Sequence, residues 1–426
     1  MTAGELANVR RDQLPNGLVV ITERMPQFRS VAVGIWVRRG SRHEPPELAG
    51  LAHFIEHMVF KGTERRSAEE IARAVDSVGG MLDAFTTKEM VCFNARVLDE
   101  HLELAFDVLA DLVRRPRFDP TEIEREKQVV LEEIKMDEDT PETLVNELFL
   151  QNFWREHPLG RPILGTRETV SSFDRDSLRR WFEHWYTPDN LVIVAAGNVE
   201  HHRFVEMVAR EFADVPPGRN GIVAVPPEPQ PALVLRRKRE LEQVHVCLGV
   251  PACGATDPRR FAIALANTIL GAGMSSRLFQ NIRERQGLAY SVGSDHVAYH
   301  DAGVLSVYAG TSVQWLERLL QSVLEEFRRM KQEPVSEEEL HRARQQLKGS
   351  YTLSLETPTN RMANRARQEL YFGRFLTLEE IFAAIDAVTP EQVQRAAAEL
   401  FTADRLALAA LGPLGGFQPT REMLAC

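Results

Sequence analysis

Two histidines and a glutamate within five residues are the part of the sequence best suited to chemistry. His53, Glu56 and His57 lie in the segment HFIEH, where apolar residues recur at helical spacing. On a helix the two imidazoles are one turn apart and can reach a single point, and Glu56 lies about 60° around the axis from His53. This set suits a zinc ion with an open position for water, beside a carboxylate that can take the water's proton. The alternative is a helix with two surface histidines and a solvated glutamate.

A second helix offers a carboxylate that could complete such a site. Asp119 and Pro120 mark its start as N-cap and first helical residue. Glu126 and Glu133 are seven residues apart and lie almost in line beside the apolar stripe, whereas Glu132 points about 160° away from that stripe. Glu133 can therefore face the histidines, Glu132 should face water, and Glu126 could orient a histidine from outside. The alternative is a pair of partly buried structural carboxylates.

The two halves of the chain are related by an internal duplication. Residues 173–199 and 388–414 align without a gap at an offset of 215 residues, and each predicts a helix, then an aromatic residue, a Thr, an Asp, an apolar strand and a Gly. Between the halves, residues 214–232 are rich in Pro and Gly and indicate a linker. We therefore predict a first domain at 1–213 and a homologous second domain at 233–426.

Within each half, strand patterns precede a longer run of helical patterns. In the first half we predict strands at 18–22 and 31–37, a hairpin at 81–98 and helices at 47–60, 67–78, 99–114, 120–153 and 174–186. In the second half we predict strands near 243–250, 288–298 and 303–310, and helices between 313 and 401. This order is typical of an α+β fold, with helices packed on one face of a mostly antiparallel sheet.

Composition excludes several classes of function. The formal net charge is −10 and the pI about 5.7, which disfavours a nucleic-acid partner because phosphate binding needs a basic surface. The four cysteines form no CxxC pair, as expected for reduced thiols in a cytosol-like compartment. We find neither a secretory signal nor an apolar run of membrane-spanning length, so we expect a cytoplasmic protein without a membrane partner. An organelle matrix would fit if the start is a processed form.

Several of these segments resemble the pitrilysin and insulinase family of zinc peptidases. The motif at 53–57, followed by Glu133 after a gap of 75 residues, resembles the family's inverted HxxEH zinc motif. The segments at 157–166 and 270–292 resemble its mitochondrial-processing-peptidase-like branch, particularly the bacterial members. The resemblance spans nearly the whole chain and agrees with the duplicated halves.

The resemblance implies a role for each of ten residues. They are the zinc ligands His53, His57 and Glu133, the general base Glu56, the assisting carboxylate Glu126, the oxyanion donors Arg283 and Tyr290, and the substrate-binding strand Asp83, Ala84 and Phe85. Asp83 stands where the family frequently has Asn. The loop at 271–273 is much shorter than the glycine-rich loop of processing-peptidase recognition subunits. The second half has no such zinc ligands, because the offset of 215 residues places 268–272 and Lys348 at the equivalent positions.

The resemblance also implies an endopeptidase. In the family, two two-domain units close around a chamber that admits peptides and small unfolded segments, so we expect one zinc per chain, peptide substrates, and a homodimer or a heterodimer with a homologous subunit. Two alternatives stay open. A non-catalytic structural or recognition subunit would be expected to lose ligands or the base, and a zinc-stabilised scaffold would normally offer four protein ligands, often Cys. The retained base and three ligands favour the peptidase.

Overall fold

The computed structural model describes residues 5–218 and 225–426, so residues 219–224 of the predicted linker lie outside the described residues. The strands are β1 (Val9–Gln13), β2 (Val19–Arg24), β3 (Ser30–Val37), β4 (Met81–Thr86), β5 (Val91–Leu98), β6 (Leu191–Gly197), β7 (Leu233–Arg237), β8 (Val244–Ala252), β9 (Ala289–Ala298), β10 (Gly303–Thr311) and β11 (Ala407–Gly412). The helices are α1 (Leu51–Val59), α2 (Ala68–Asp76), α3 (Leu102–Arg114), α4 (Pro120–Asp139), α5 (Pro141–Phe153), α6 (Arg167–Ser172), α7 (Arg175–Trp185), α8 (His201–Phe212), α9 (Arg260–Leu270), α10 (Leu316–Gln332), α11 (Glu337–Leu353), α12 (Pro358–Phe372), α13 (Leu378–Asp386) and α14 (Pro390–Leu400). A π-helix covers Phe279–Arg285. None of the described helices is long and apolar enough to cross a membrane.

The strands form two sheets with matching layouts. The first has six strands in the order β1-β2-β6-β3-β5-β4, and the second has five in the order β7-β11-β8-β10-β9. Each sheet contains one parallel pair, β2 with β6 and β7 with β11, and all other neighbours are antiparallel. The predicted α+β class with mostly antiparallel sheets is therefore confirmed.

The duplicated stretches fold alike. Helices α7 and α14 each have 11 residues and begin after a side-chain cap, Asp174 in one and Thr389 in the other. Each leads into a strand that is buried along its whole length, β6 or β11. Both strands end at a glycine with a left-handed backbone, Gly197 at φ 127° and Gly412 at φ 135°, where a side chain would be strained.

The structure has two compact units, and each contains one segment from the other half of the sequence. Within the described residues, the first unit comprises 5–135, 161–218 and 353–379, and the second comprises 136–160, 225–352 and 380–426. The first unit thus contains α12 from late in the chain, and the second contains α5 from the first half. Each sheet therefore gains a helix whose sequence lies in the other half.

In the first unit, both faces of the sheet are covered. One face packs on α1, α2, α3, α7 and α8 in a single apolar core, as predicted. The other face packs on α12, where Met362 and Ala366 contact a smaller apolar cluster that includes Trp36 and Cys92. The predicted helical layer describes the first of these faces, and α12 adds a helix on the second.

In the second unit, α5 packs on the five-stranded sheet. Its buried side chains Leu144, Val145 and Phe149 share an apolar cluster with residues of β8, β10 and β11. The helical pattern predicted at 120–153 is divided between α4 and α5, because Pro141 starts a new helix and holds Thr140 in an extended conformation at φ −97° and ψ 102°. The break separates the helix that carries Glu133 from the helix that serves the second unit.

Candidate metal centre

A buried carboxylate fixes the start of the helix that carries the two histidines. Helix α1 begins at Leu51, later than the predicted 47–60, after Gly50 in a left-handed conformation at φ 95°. Glu44 accepts hydrogen bonds from the backbone N–H of Gly50 at 2.8 Å and of Ala52 at 2.6 Å. The first N–H groups of a helix have no partner within it, so Glu44 satisfies two donors that would otherwise be buried without one.

Helix α1 has one apolar and one polar side. Its fully buried side chains, which pack into the core of the first unit, are Leu51, Ala52, Phe54, Ile55, Met58 and Val59. His53, Glu56 and His57 are each half-buried. The two imidazole rings lie with their centroids 4.5 Å apart at an angle of 59°. The structure therefore places both histidines at one position, as the helical spacing predicted.

Glu133 approaches both imidazoles from α4. Its Oε2 atom lies 3.9 Å from His53 Nε2 and 3.7 Å from His57 Nε2. Glu132 is exposed and lies 3.5 Å from Lys135 on the surface of the same helix. The phase of α4 thus directs Glu133, and not its neighbour, to the histidines.

The second nitrogen of His57 is held by Glu126. His57 Nδ1 lies 2.8 Å from Glu126 Oε1, an arrangement in which Nδ1 carries the proton and Nε2 keeps its lone pair. Lys61 Nζ lies 2.6 Å from the other oxygen of Glu126. Although burial opposes it, the hydrogen bonds from His57 and Lys61 hold the pKa of Glu126 below its usual value. Glu126 therefore remains an anion that orients one histidine.

The three converging side chains fit a metal ion. Their ligand atoms all lie within 4.8 Å of one another, and the two distances from Glu133 Oε2 to the imidazole nitrogens, 3.7 and 3.9 Å, compare with roughly 3.4 Å between two ligands of a tetrahedral zinc ion. Glu133 Oε2 is buried and has no hydrogen-bond partner among the described residues, a costly arrangement unless the oxygen binds a cation. Burial, together with the neighbouring His57, lowers the pKa of His53 to about 3, so that imidazole is neutral at neutral pH as a ligand must be.

Glu56 lies beside these ligands and bonds to a different element. Its Oε2 atom accepts a hydrogen bond of 2.5 Å from the hydroxyl of Thr86, the last residue of β4. Burial raises the pKa of Glu56, and the Thr86 hydrogen bond opposes that rise. A carboxylate whose pKa lies above its usual value is a better proton acceptor at neutral pH, which suits a general base.

Strand β4 forms one edge of the six-stranded sheet. Its backbone pairs with β5 on one side and with no other described strand. Ala84 is half-buried and packs against the core beneath the helices, whereas Asp83 and Phe85 are exposed on the opposite face. The three predicted substrate-binding residues therefore occupy a strand edge to which an extended peptide could add.

Arg283 and Tyr290 lie together in the second unit. The guanidinium carbon of Arg283 is 4.5 Å from the centre of the Tyr290 ring and 4.7 Å from that of Phe279. The Tyr290 side chain is 78% exposed. Gly287 at φ 61° turns the chain from the π-helix into β9. The two predicted donors thus form a cation–aromatic pair of a half-buried Arg283 and an exposed Tyr290.

The second unit has no equivalent metal centre among its described residues. The offset position of Glu133 is Lys348 in α11, whose Nζ lies 2.7 Å from Asp386. Across the described residues, His53, His57 and Glu133 form the one group of His, Cys, Asp and Glu side chains that converge as metal ligands do.

Three residues of the centre were not predicted from the sequence: Glu44, Lys61 and Thr86. Lys61 lies four residues after His57, so helical spacing alone could have placed it on the same side. Thr86 lies two residues after Ala84, and strand alternation could have placed both on the helix-facing side. Glu44 accepts a hydrogen bond from Gly50, six residues later, and no simple sequence pattern predicts this contact.

Two family models match most of the chain. The insulinase model (peptidase family M16) matches residues 19–167, which include the whole candidate metal centre. The model of the peptidase M16 inactive domain matches residues 172–347, which include Arg283 and Tyr290. The boundary between them falls within α6.

Relatives and solved structures agree with these models. The chain is 43% identical over 407 residues to an uncharacterized zinc protease of Bacillus subtilis, covering 96% of this chain and 99% of that one. It is 40% identical over 428 residues to an uncharacterized zinc protease of Streptomyces coelicolor, covering 98% and 92%. Its fold matches the crystal structure of a protease from Helicobacter pylori, with a TM-score of 0.88, 19% identity and coverage of 95% and 99%. A peptidase M16 inactive domain from Pseudomonas fluorescens matches with a TM-score of 0.89, 21% identity and coverage of 97% and 100%. The chain therefore belongs to the insulinase family of peptidases, peptidase family M16.

Proposed function

We propose that this chain is a zinc-dependent endopeptidase that hydrolyses peptides or unfolded protein segments. The observation that supports this most strongly is the convergence of His53, His57 and Glu133 on one point, with Glu56 beside them. Three protein ligands leave one position of a tetrahedral ion open, which is the arrangement of catalytic zinc sites rather than structural ones. The names of the relatives are consistent with zinc.

In this proposal the side chains have separate roles. His53, His57 and Glu133 hold the ion, and Glu126 keeps His57 in the tautomer that presents Nε2. Zinc bound there would supply Lewis-acid activation for the attacking water and for the scissile carbonyl. Glu56 accepts the proton of the attacking water and delivers it to the departing amine.

Substrate binding is assigned to two other elements. The free edge of β4 at Asp83, Ala84 and Phe85 would pair with the backbone of an extended peptide, which gives affinity with little sequence preference. Arg283 and Tyr290 would donate hydrogen bonds to the oxyanion that forms at the scissile carbonyl. We propose further that the protein acts as a homodimer, with a heterodimer of homologous subunits as the second possibility.

Metal content and activity test the proposal together. Purified protein should contain about one zinc per chain and hydrolyse a quenched fluorescent peptide, and a chelator should abolish hydrolysis until zinc is restored. His53→Ala, His57→Ala and Glu133→Gln should each lose the metal. Glu132→Gln is the matched control, because Glu132 is the adjacent glutamate on the same helix and is exposed.

Two results would reject the proposal. Loss of zinc in Glu132→Gln with retention in Glu133→Gln would mean that the ligand is misassigned. A fully zinc-loaded protein that cleaves no unstructured peptide, over a range of sequences, would leave a metal-binding member of the family without peptidase activity.

A further inference from the structure

One side chain of the edge strand β4 contacts the proposed general base directly. Thr86 Oγ1 lies 2.5 Å from Glu56 Oε2, and among the described residues this is the hydrogen bond made by the Glu56 carboxylate. We propose that Thr86 is a positioning residue that holds the Glu56 carboxylate in the orientation required for proton transfer. This inference rests on the proposed peptidase function and adds a residue that acts through the base.

Strand alternation explains why this hydroxyl reaches Glu56. Along β4 the side chains of Leu82, Ala84 and Thr86 are half-buried, while those between them are exposed. Leu82 and Ala84 pack against the apolar core that α1 shares. Thr86 continues the same row, so its side chain is directed towards the layer that contains Glu56.

A single donor on one oxygen is enough to orient a carboxylate. A glutamate side chain rotates about several bonds, and the hydroxyl of Thr86 restricts that rotation while leaving Oε1 available to accept a proton. Threonine suits the task because its β-branched side chain has few accessible rotamers, so the direction of the hydroxyl is itself fixed by the strand.

Thr86 also connects the general base Glu56 to β4, the strand that would bind the substrate. Thr86 pairs through its backbone with Val91 of β5 and lies two residues from Ala84. A peptide that adds to the edge at Asp83–Phe85 would therefore bind to the same strand that orients the base. The distance between the peptide backbone and Glu56 would then be set by β4 and by its packing against α1.

Two substitutions of Thr86 distinguish the effect of its hydroxyl from the effect of its side-chain shape. Thr86→Val keeps the β-branched side chain and the strand pairing but removes the donor, and Thr86→Ser keeps the donor. We expect Thr86→Val to retain zinc and a KM close to that of the wild type, with kcat lower by about 10-fold or more, a typical cost of a misplaced catalytic group. Thr86→Ser should restore most of kcat.

A matched control removes a different strand hydroxyl. Thr22, on β2 of the same sheet, forms a hydrogen bond of 2.8 Å with His201, the first residue of α8, and forms none with Glu56. Thr22→Val should therefore leave kcat and KM unchanged. Loss of kcat in both valine variants, or a serine variant as impaired as Thr86→Val, would mean that the effect is structural and would overturn the proposal.

A crystal structure of zinc-loaded Thr86→Val gives a readout that does not depend on activity. The proposal requires the Glu56 carboxylate to adopt other rotamers while the zinc ligands stay in place. An unchanged, well-ordered Glu56 in that variant would overturn it. If the wild-type protein binds zinc but cleaves no peptide, the peptidase function fails, and this comparison still decides whether Thr86 orients Glu56.

Discussion

The two histidines of the metal centre are held in different ways. His57 is fixed by Glu126, which is itself paired with Lys61. The Nδ1 atom of His53 is buried and has no hydrogen-bond partner among the described residues, so packing within α1 determines the orientation of that ring. A polar contact therefore sets the tautomer of one ligand only.

The role of Glu56 as the base can be tested by a substitution that preserves its shape. Glu56→Gln keeps the shape of the side chain and its hydrogen bond from Thr86, but the amide cannot accept a proton. We expect the variant to fold and bind zinc as the wild type does, and to lose at least about 10²-fold in peptide hydrolysis, a typical contribution of a general base. Metal analysis and steady-state kinetics on the same preparation measure both quantities.

The outcome separates a base from a structural residue. A zinc-loaded Glu56→Gln protein with near wild-type turnover would exclude Glu56 as the base. Loss of zinc in the same variant would indicate instead that Glu56 supports the ligands.

Local periodicity explains how much of the centre could be predicted. Helical spacing places His53, Glu56 and His57 together, and the phase of α4 distinguishes Glu133 from Glu132. The partners that lie on other elements were beyond this reasoning. The contact between Thr86 and Glu56 joins residues 30 positions apart and depends on how β4 packs against α1.

At the start of α1, burial changes the pKa of the Glu44 carboxylate. The Glu44 carboxylate is completely enclosed, and burial raises its pKa to about 8 from a usual value near 4.5, against the lowering effect of its two backbone donors and of Lys88 and Arg161. In the unfolded chain the same group loses its proton at its usual pKa. The folded state therefore binds one more proton than the unfolded state between these two values.

This difference predicts a pH dependence of stability. The contribution of the protonated group is complete below about pH 4.5 and is lost as the pH rises through 8, so the free energy of unfolding should fall over this range by about 1.4 kcal/mol for each pH unit. Glu44→Gln cannot titrate and should lack this slope. Denaturant unfolding of the metal-free proteins between pH 5 and pH 8.5 measures the difference.

Glu47→Gln is the matched control, because Glu47 lies three residues away and is exposed. Its pH profile should parallel that of the wild type. Parallel profiles for Glu44→Gln and the wild type would show instead that the Glu44 carboxylate is ionised throughout the range.

The sequence predicted the positions of most helices and strands in the first half, but not the sheet on which α12 packs or the π-helix. Alternation and helical periodicity located most strands and helices of the first half, because each has one face towards a core. The partner of α12 could not be read from its amphipathic pattern, since that pattern shows which side is buried but not against which sheet. The π-helical hydrogen bonding at Phe279–Arg285 likewise leaves no mark in the apolar spacing.

For the whole molecule, we propose that Arg283 and Tyr290 act on the metal centre of a second copy. The family models assign the zinc motif and this pair to different segments of the chain, 19–167 and 172–347. Arg283→Ala removes a transition-state donor, which typically costs about 10²–10³ in turnover. Mixing it with Glu56→Gln should restore activity, because a mixed dimer has one site with both defects and one with neither.

The expected recovery can be calculated. Each mixed dimer would have about half the activity of a wild-type dimer, and random exchange of equal amounts makes about half of the dimers mixed. The mixture should therefore reach about a quarter of wild-type activity. If subunit exchange is verified and no activity returns, the donors act within one chain and the trans arrangement is rejected.

The segment exchange that places α12 on the first sheet has a consequence for synthesis. The last strand of that sheet, β6, ends at Gly197, whereas α12 ends at Phe372. Under α12, the buried carboxylate of Glu23 bonds to Arg361 at 3.0 Å and to Arg365 at 2.7 Å, residues 338 and 342 positions later. A ribosome adds about 5–20 residues per second, so roughly 10–35 s pass between the synthesis of β6 and that of α12. During this time Glu23 lacks its arginine partners, and the apolar face that α12 covers is exposed. During every round of translation the nascent sheet thus exposes an apolar surface of the kind that chaperones bind, until α12 has been made.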